Sequence, residues 1–151
     1  MTAKTLEINC AIQIQKPIQE VFEAIVNDKL MSEYFIGKSS GRMESGKELI
    51  WKFPEFDAEF PIRVDSIIIN QSVSFYWFMD NIETKVQINL TDKENDSTLV
   101  SINEKSRIND AKGILWLSGN SFGWSNFLAC LKAYLEYGIN LRKGAFDFMK
   151  K

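Results

Sequence analysis

The sequence predicts an α+β fold in which a curved antiparallel sheet of about six to seven strands wraps around one long C-terminal helix, with two short helices after the first strand. Two observations predict it. Segments of strand length in which apolar and polar residues alternate fill most of the chain between residues 6 and 106. A helical repeat then places six large side chains on one stripe about 120° wide. The stripe consists of Trp124, Phe127, Leu128, Leu131, Tyr134 and Leu135.

The first strand is predicted at residues 6–15, where the alternation places Cys10 on the core face. Pro17 ends this strand and suits the first turn of a helix. Apolar residues at helical spacing over 18–26 predict that helix, and a second short helix is predicted over 30–35.

Six further strands are predicted in the middle of the chain, where apolar residues again recur at every second position. They cover residues 38–43, 49–53, 56–64, 73–78, 84–90 and 98–106. Turns are predicted at residues 70–71, 80–81 and 94–96, which are rich in Asn and Asp. Because proline cannot donate a hydrogen bond, Pro61 predicts an edge position or a bulge for its strand.

Glu104 breaks the alternation of the last strand, because its register continues the apolar face that includes Val100 and Ile102. An ionised carboxylate on an apolar face is costly unless it is paired or hydrated. Two interpretations are open. The strand ends or bulges near Asn103 and Glu104 reaches solvent, or Glu104 lies in the wall of a cavity and orients a ligand donor or an internal Lys or Arg.

The C-terminal third is predicted as a loop at residues 109–120 and a helix at residues 123–137. Asn120 or Ser121 is the predicted N-cap of this helix. We expect an irregularity at Gly138, because glycine commonly ends helices.

Composition and charge exclude several classes of protein. The 151 residues suit one domain over 1–151, and a net charge of −2 without a basic run disfavours nucleic-acid binding. No histidine is present, so a Ser–His–Asp triad or a histidine metal site cannot form. No apolar run is long enough to span a membrane, and no signal-like N-terminus is seen. We therefore expect a cytoplasmic protein in which Cys10 and Cys130 are inert free thiols.

Three segments resemble one superfamily. Residues 14–25, IQKPIQEVFEAI, resemble the opening of START-like helix-grip (SRPBCC) proteins. Residues 30–35, LMSEYF, resemble the next segment of that superfamily, with Tyr34 in place of the usual Trp. Gly123-Trp124 with residues 131–136, LKAYLE, is similar to the C-terminal helix of the branch homologous to activators of the heat-shock-protein-ninety ATPase. The resemblance implies the helix-grip fold, which hosts lipid carriers, receptors, cyclases and co-chaperone domains and so does not specify an activity.

Aromatic residues should converge between sheet and helix, where they form either a filled core or the wall of a ligand cavity. The candidate ligand-binding residues are Trp51, Phe53, Phe60, Phe75, Trp77, Glu104, Phe127 and Tyr134. Residues 114–117 and the pair Tyr34-Phe35 are candidate gates over the opening.

The expected function is non-catalytic binding of a small apolar or amphipathic molecule, with no metal and no cofactor. The alternative is a protein-interaction module of the chaperone-activator type, as the resemblance implies, in which exposed Tyr76, Phe78 and Trp116 contact a chaperone or another protein. An enzyme is the third class, and it would need acid–base groups that the sequence lacks apart from Glu104.

Overall fold

The computed structural model describes residues 4–150. The two ends of the expected domain, residues 1–3 and Lys151, lie outside the described residues. The elements are β1 Thr5–Ile14, α1 Ile18–Val26, α2 Asp28–Met31, β2 Lys38–Ser39, β3 Glu48–Lys52, β4 Glu59–Ile68, β5 Ser72–Met79, β6 Ile82–Asp92, β7 Thr98–Ile108, α3 Ala111–Tyr137 and a 3₁₀ turn Asp147–Met149.

The seven described strands form one antiparallel sheet in the order β1-β7-β6-β5-β4-β3-β2. The long helix α3 packs against this sheet, and the side chains of Trp124, Phe127 and Leu131 are buried in the shared core. Leu128 is buried as well, and the last two members of the stripe, Tyr134 and Leu135, are partly buried at its edge. The predicted α+β architecture, a curved sheet around a long C-terminal helix, is confirmed.

The helix α3 begins about three turns earlier than expected, so the predicted loop at residues 109–120 is wrong. Asp110 is the N-cap, and its carboxylate accepts a hydrogen bond from the Gly113 backbone N–H at 2.7 Å. Gly113 is required there, because a Cβ would lie 1.9 Å from the Ile108 carbonyl oxygen. Glycines lower helix propensity, and this masked the first half of the helix in the sequence. At the other end Gly138 adopts φ 66° and is the C-cap, which explains the expected irregularity.

The strands match the sequence pattern with three exceptions. The strand predicted at 56–64 is β4, which begins at Glu59 and runs to Ile68. The predicted strand at 38–43 is reduced to the two residues of β2, and Phe53 follows β3 rather than belonging to it. The turn between β5 and β6 has φ of 53° at Asp80 and 62° at Asn81, as a type I′ hairpin requires.

The expected edge position of Pro61 is wrong, because β4 is an internal strand, and the register shift of β4 lies further on, between Val64 and Ser66. The pairing of β4 with β5 begins only at Ile62. The proline therefore interrupts no bond of that ladder.

The last strand does not end at Asn103, so the interpretation that Glu104 reaches solvent is wrong. β7 continues to Ile108, and its pairing with β1 shifts by one residue after Lys105, so that Ser106 has no partner in the register. This shift exposes Ser106 and returns Arg107 to the core face, where it is 4% exposed. Glu104 itself has no exposed surface.

Candidate ligand-binding cavity

A cavity of about 420 Å³ lies between the middle of α3, the facing ends of β4 and β5, and the segment that follows α3. This volume is in the range of small-molecule sites, about 300–1,000 Å³. The lining consists of Phe35, Phe53, Phe56, Ala58, Phe60, Trp77, Met79, Gly119, Asn120, Phe122, Gly123, Trp124, Arg142, Phe146 and Met149. Most of these side chains are apolar, and more than half are aromatic.

Two glycines leave space for the cavity on the helix side. Gly119 and Gly123 are one turn apart on α3, and a Cβ built on either would meet no other atom within 4 Å. A glycine inside a helix costs about 1 kcal/mol relative to alanine. The helix thus accepts a lower intrinsic stability at two positions where a larger side chain would occupy the cavity.

The aromatic wall is built by ring-to-ring contacts across several elements. The Phe35 ring centre lies 5.2 Å from that of Phe53 and 5.9 Å from that of Trp124. Trp124 in turn lies 5.5 Å from Trp77 of β5. Such pairs are worth about 0.5–1.5 kcal/mol each beyond simple burial, so the inner part of the wall is fixed by packing.

Glu104 lies behind this wall and is held by four hydrogen bonds. Its Oε1 accepts from Trp124 Nε1 at 2.7 Å and from Asn120 Nδ2 at 3.1 Å. Its Oε2 accepts from Trp77 Nε1 at 2.9 Å and from Thr84 Oγ1 at 2.5 Å. An ionised carboxylate offers about four acceptor positions, and each is used. Three of the four donors belong to residues that line the cavity, so Glu104 positions the wall without lining it.

The candidate site residues from the sequence occupy two layers. Phe53, Phe60 and Trp77 line the cavity. A second group packs behind it, within or against the core: Trp51, Phe75, Phe127 and Tyr134. The layers touch, since the Trp51 ring lies 6.2 Å from that of Trp77.

The expected gates are not where the sequence suggested. Tyr34 is 1% exposed and donates its hydroxyl to the Ala24 carbonyl at 2.8 Å, so it is a core residue, whereas Phe35 lines the cavity. Trp116 is also buried, which overturns its expected exposure. Its neighbours Ile114 and Leu115 are exposed but do not line the cavity. The reason is that residues 114–117 are helical, so their side chains point in different directions.

Arg142 and Met149 in the C-terminal segment line the cavity, although the sequence did not indicate them as site residues. Phe146, which the sequence suggested only as a residue that docks the tail, lines it as well. Phe146 is buried against Phe122 with ring centres 5.9 Å apart. Two features of the sequence could have indicated them. The C-terminal tail contains spaced apolar residues, and Gly119 and Gly123 lie four residues apart in a segment that otherwise favours a helix.

The two thiols lie away from the cavity lining. Cys130 is buried, and this burial raises the pKa of its thiol, which disfavours the reactive thiolate. Cys10 is half-buried, with Sγ 3.7 Å from Ser125 Oγ. Among residues 4–150 no group of three acidic, Cys or His side chains is arranged to hold a metal. Within the same range no helix is long and apolar enough to cross a membrane.

Comparison with known proteins identifies the family. The model of the family "Activator of Hsp90 ATPase homolog 1-like protein" matches residues 15–136. The chain belongs to this family. No curated protein matches the chain significantly.

Several solved structures share the fold of this chain. Protein SSP2350 from Staphylococcus saprophyticus is 30% identical with a TM-score of 0.78, over 91% of this chain and 96% of that one. The Aha1 dimer from Colwellia psychrerythraea is 20% identical with a TM-score of 0.76, over 88% of this chain and 98% of that one. DynU16, from the dynemicin biosynthetic locus, is 22% identical with a TM-score of 0.79, over 89% of this chain and 48% of that one. The last two similarities concern the fold alone.

Proposed function

We propose that this protein binds a small apolar or amphipathic molecule in the cavity, in the cytoplasm and without converting it chemically. The observation that carries the proposal is the pair Gly119 and Gly123, which opens a helix toward an aromatic wall. Binding is driven by burial of apolar ligand surface, about 25 cal/mol per Å², against the cost of ordering the ligand.

The chemistry of the lining supports binding rather than catalysis. Among the described residues of the lining, Arg142 alone carries a charge. Two buried acids contact lining residues, and both are engaged: Glu104 accepts four hydrogen bonds from neutral donors, and Glu55 forms an ion pair with Arg142. General acid–base catalysis needs a titratable group within hydrogen-bond reach of the substrate, and Glu104 is separated from the cavity by its own donors.

The test is to fill the cavity and measure binding of a neutral environment-sensitive dye such as Nile red. Gly123→Leu places an isobutyl group in the open space beside the aromatic wall. We expect the dye to bind the wild type, to quench Trp fluorescence and to lose at least tenfold in affinity in the variant. Ser118→Leu adds the same side chain at an exposed position of α3 and is the matched control.

Two outcomes would contradict the proposal. One is dye binding to folded Gly123→Leu with the affinity of the wild type. The other is equal loss in Gly123→Leu and Ser118→Leu. Far-UV circular dichroism of both variants establishes that they are folded.

A second candidate function is protein binding of the chaperone-activator type, which the family suggests. Ile108, Ile114 and Leu115 are 69%, 54% and 73% exposed around the N-terminal end of α3. Exposed apolar groups of this kind are common at protein interfaces. Under this reading Leu115→Gln abolishes stimulation of the ATPase of a heat-shock-protein-ninety chaperone from the same organism, while Gly123→Leu leaves it unchanged.

A further inference from the structure

Arg142 brings a single charge to the cavity from the segment that follows α3. Its side chain is 13% exposed, and Nη2 donates to Glu55 Oε2 at 3.0 Å. The Glu55 side chain is 4% exposed. The guanidinium carbon lies 4.7 Å from the ring centre of Phe146 and 5.5 Å from that of Phe53. Ion pair and rings together hold the guanidinium in a defined position.

One donor of this guanidinium is not used by the protein. Nε of Arg142 is buried and has no hydrogen-bond partner among the described residues. A guanidinium cannot release its proton at physiological pH, and a buried donor without an acceptor costs free energy. An acceptor atom supplied by a ligand in the cavity would satisfy it.

The surroundings favour an anionic acceptor. Glu55 does not line the cavity, and the remaining lining residues are apolar except Asn120, whose amide nitrogen is bonded to Glu104. A ligand therefore meets a positive group on one wall and aromatic rings on the others. Planar guanidinium groups bind carboxylates through paired N–H donors.

We infer that the ligand is an amphipathic carboxylate whose head group binds Arg142 and whose apolar body lies beside Gly119 and Gly123. This inference rests on the proposed function. Glu55 is a positioning residue, since it orients the guanidinium from behind. Because Glu55 also balances part of the positive charge of Arg142, the selectivity for a carboxylate head group comes from directed hydrogen bonds more than from net charge.

The experiment compares three probes with the same ten-carbon chain, decanoate, decanol and decyltrimethylammonium, and adds decyl phosphate as a second anion. Their affinities are measured by displacement of Nile red. We expect decanoate to bind at least tenfold more tightly than decanol, and the cation to bind most weakly. In Arg142→Met the affinity for decanoate falls about tenfold to that for decanol, which is itself unchanged. Arg63→Met, which removes an exposed ion pair with Glu83, is the control and changes neither affinity.

A second variant keeps the test informative if Arg142→Met does not fold, because that substitution leaves the Glu55 carboxylate buried and unpaired. The double variant Arg142→Met/Glu55→Gln removes both charges and should show the same loss of preference for decanoate. Equal binding of all three probes in the wild type overturns the head-group assignment while the proposed function stands. Tighter binding of decyl phosphate than of decanoate overturns the carboxylate class. Failure of every probe and of Nile red to bind overturns the proposed function itself.

Discussion

Glu104 accepts a hydrogen bond from the indole N–H of Trp124 at 2.7 Å, and this bond joins β7 to α3 at the back of the cavity. The second carboxylate oxygen accepts from the indole of Trp77 at 2.9 Å. A single buried carboxylate thus sets the spacing of the two tryptophans that form the inner wall. A charged residue on the apolar face of a strand is retained here because every one of its acceptor positions is occupied.

Glu104→Gln tests this network with almost no change in volume. The new amide NH₂ faces two donors, so buried N–H or O–H groups lose their acceptor, and we expect a loss of about 2–4 kcal/mol in the free energy of unfolding. Denaturant unfolding measures it. Glu83→Gln, at an exposed ion pair, is the control and should change stability by at most about 0.5 kcal/mol. Equal stability of Glu104→Gln and wild type would mean that the four bonds do not form.

Alanine substitutions at two glycines of α3 should change the stability of the protein in opposite directions. Gly113→Ala places a Cβ against the Ile108 carbonyl oxygen and should destabilise by about 1–3 kcal/mol. Gly119→Ala meets open space and should stabilise by up to about 1 kcal/mol through helix propensity. Thermal unfolding of the pair gives the signs. A stabilised Gly113→Ala would contradict the close approach at Gly113, and a destabilised Gly119→Ala would contradict the open space at Gly119.

Leu131→Ala tests the helix–sheet contact. Leu131 is fully buried, and a cavity left by this truncation should cost about 2–5 kcal/mol. Leu115→Ala removes the same atoms from a side chain that is 73% exposed and should cost at most about 0.5 kcal/mol. Urea unfolding of both variants compares the two costs, and a similar small loss in each would refute the burial of the helix stripe.

Acid should weaken the link between α1 and the segment before β3. The hydrogen bonds from Arg42 hold the pKa of Glu23 below its ordinary value of 4.5. A carboxyl group whose pKa is lowered by folding adds stability above the unfolded pKa, and this stability is lost as the pH falls through the folded pKa.

The measurement is the free energy of unfolding between pH 7 and pH 3 for wild type and Glu23→Gln. The two side chains are 41% and 40% exposed, so the contribution of the pair at pH 7 should be about 0.2–1 kcal/mol. The two proteins should converge on acidification. A constant difference across this pH range would show that Glu23 does not contribute to the acid sensitivity.

Glu104 shows which features of the site depend on the local sequence and which depend on the tertiary structure. Glu104 lies two residues after Ile102, and residues two apart in a strand share a face, so the sequence alone predicts its place on the apolar face. Its partners Trp124 and Asn120 are far along the chain, and Asn120 belonged to a segment predicted as loop. The four-donor arrangement could not be foreseen, because it depends on a strand register and a helix position together.

The C-terminal segment illustrates the same limit. Arg142 and Phe146 have no periodic pattern that indicates their neighbours, and their role arises only where the chain folds back over the cavity after Gly138. The glycine spacing at 119 and 123 was visible, but in isolation it lowers helix propensity and suggests a loop.

The sequence by itself determined the α+β class, the hairpin turns, the buried stripe of α3 and the phase of Glu104, because these depend on local periodicity and turn chemistry. Only the tertiary structure decided the start of α3 at Ala111, which depends on a cap at Asp110 and a close approach to Ile108. It likewise decided which aromatic residues line the cavity and which fill the core. Trp51, Phe60, Phe75 and Trp77 share one face of the sheet, and their depth is set by the curvature of the sheet and the bare backbone at the two glycines.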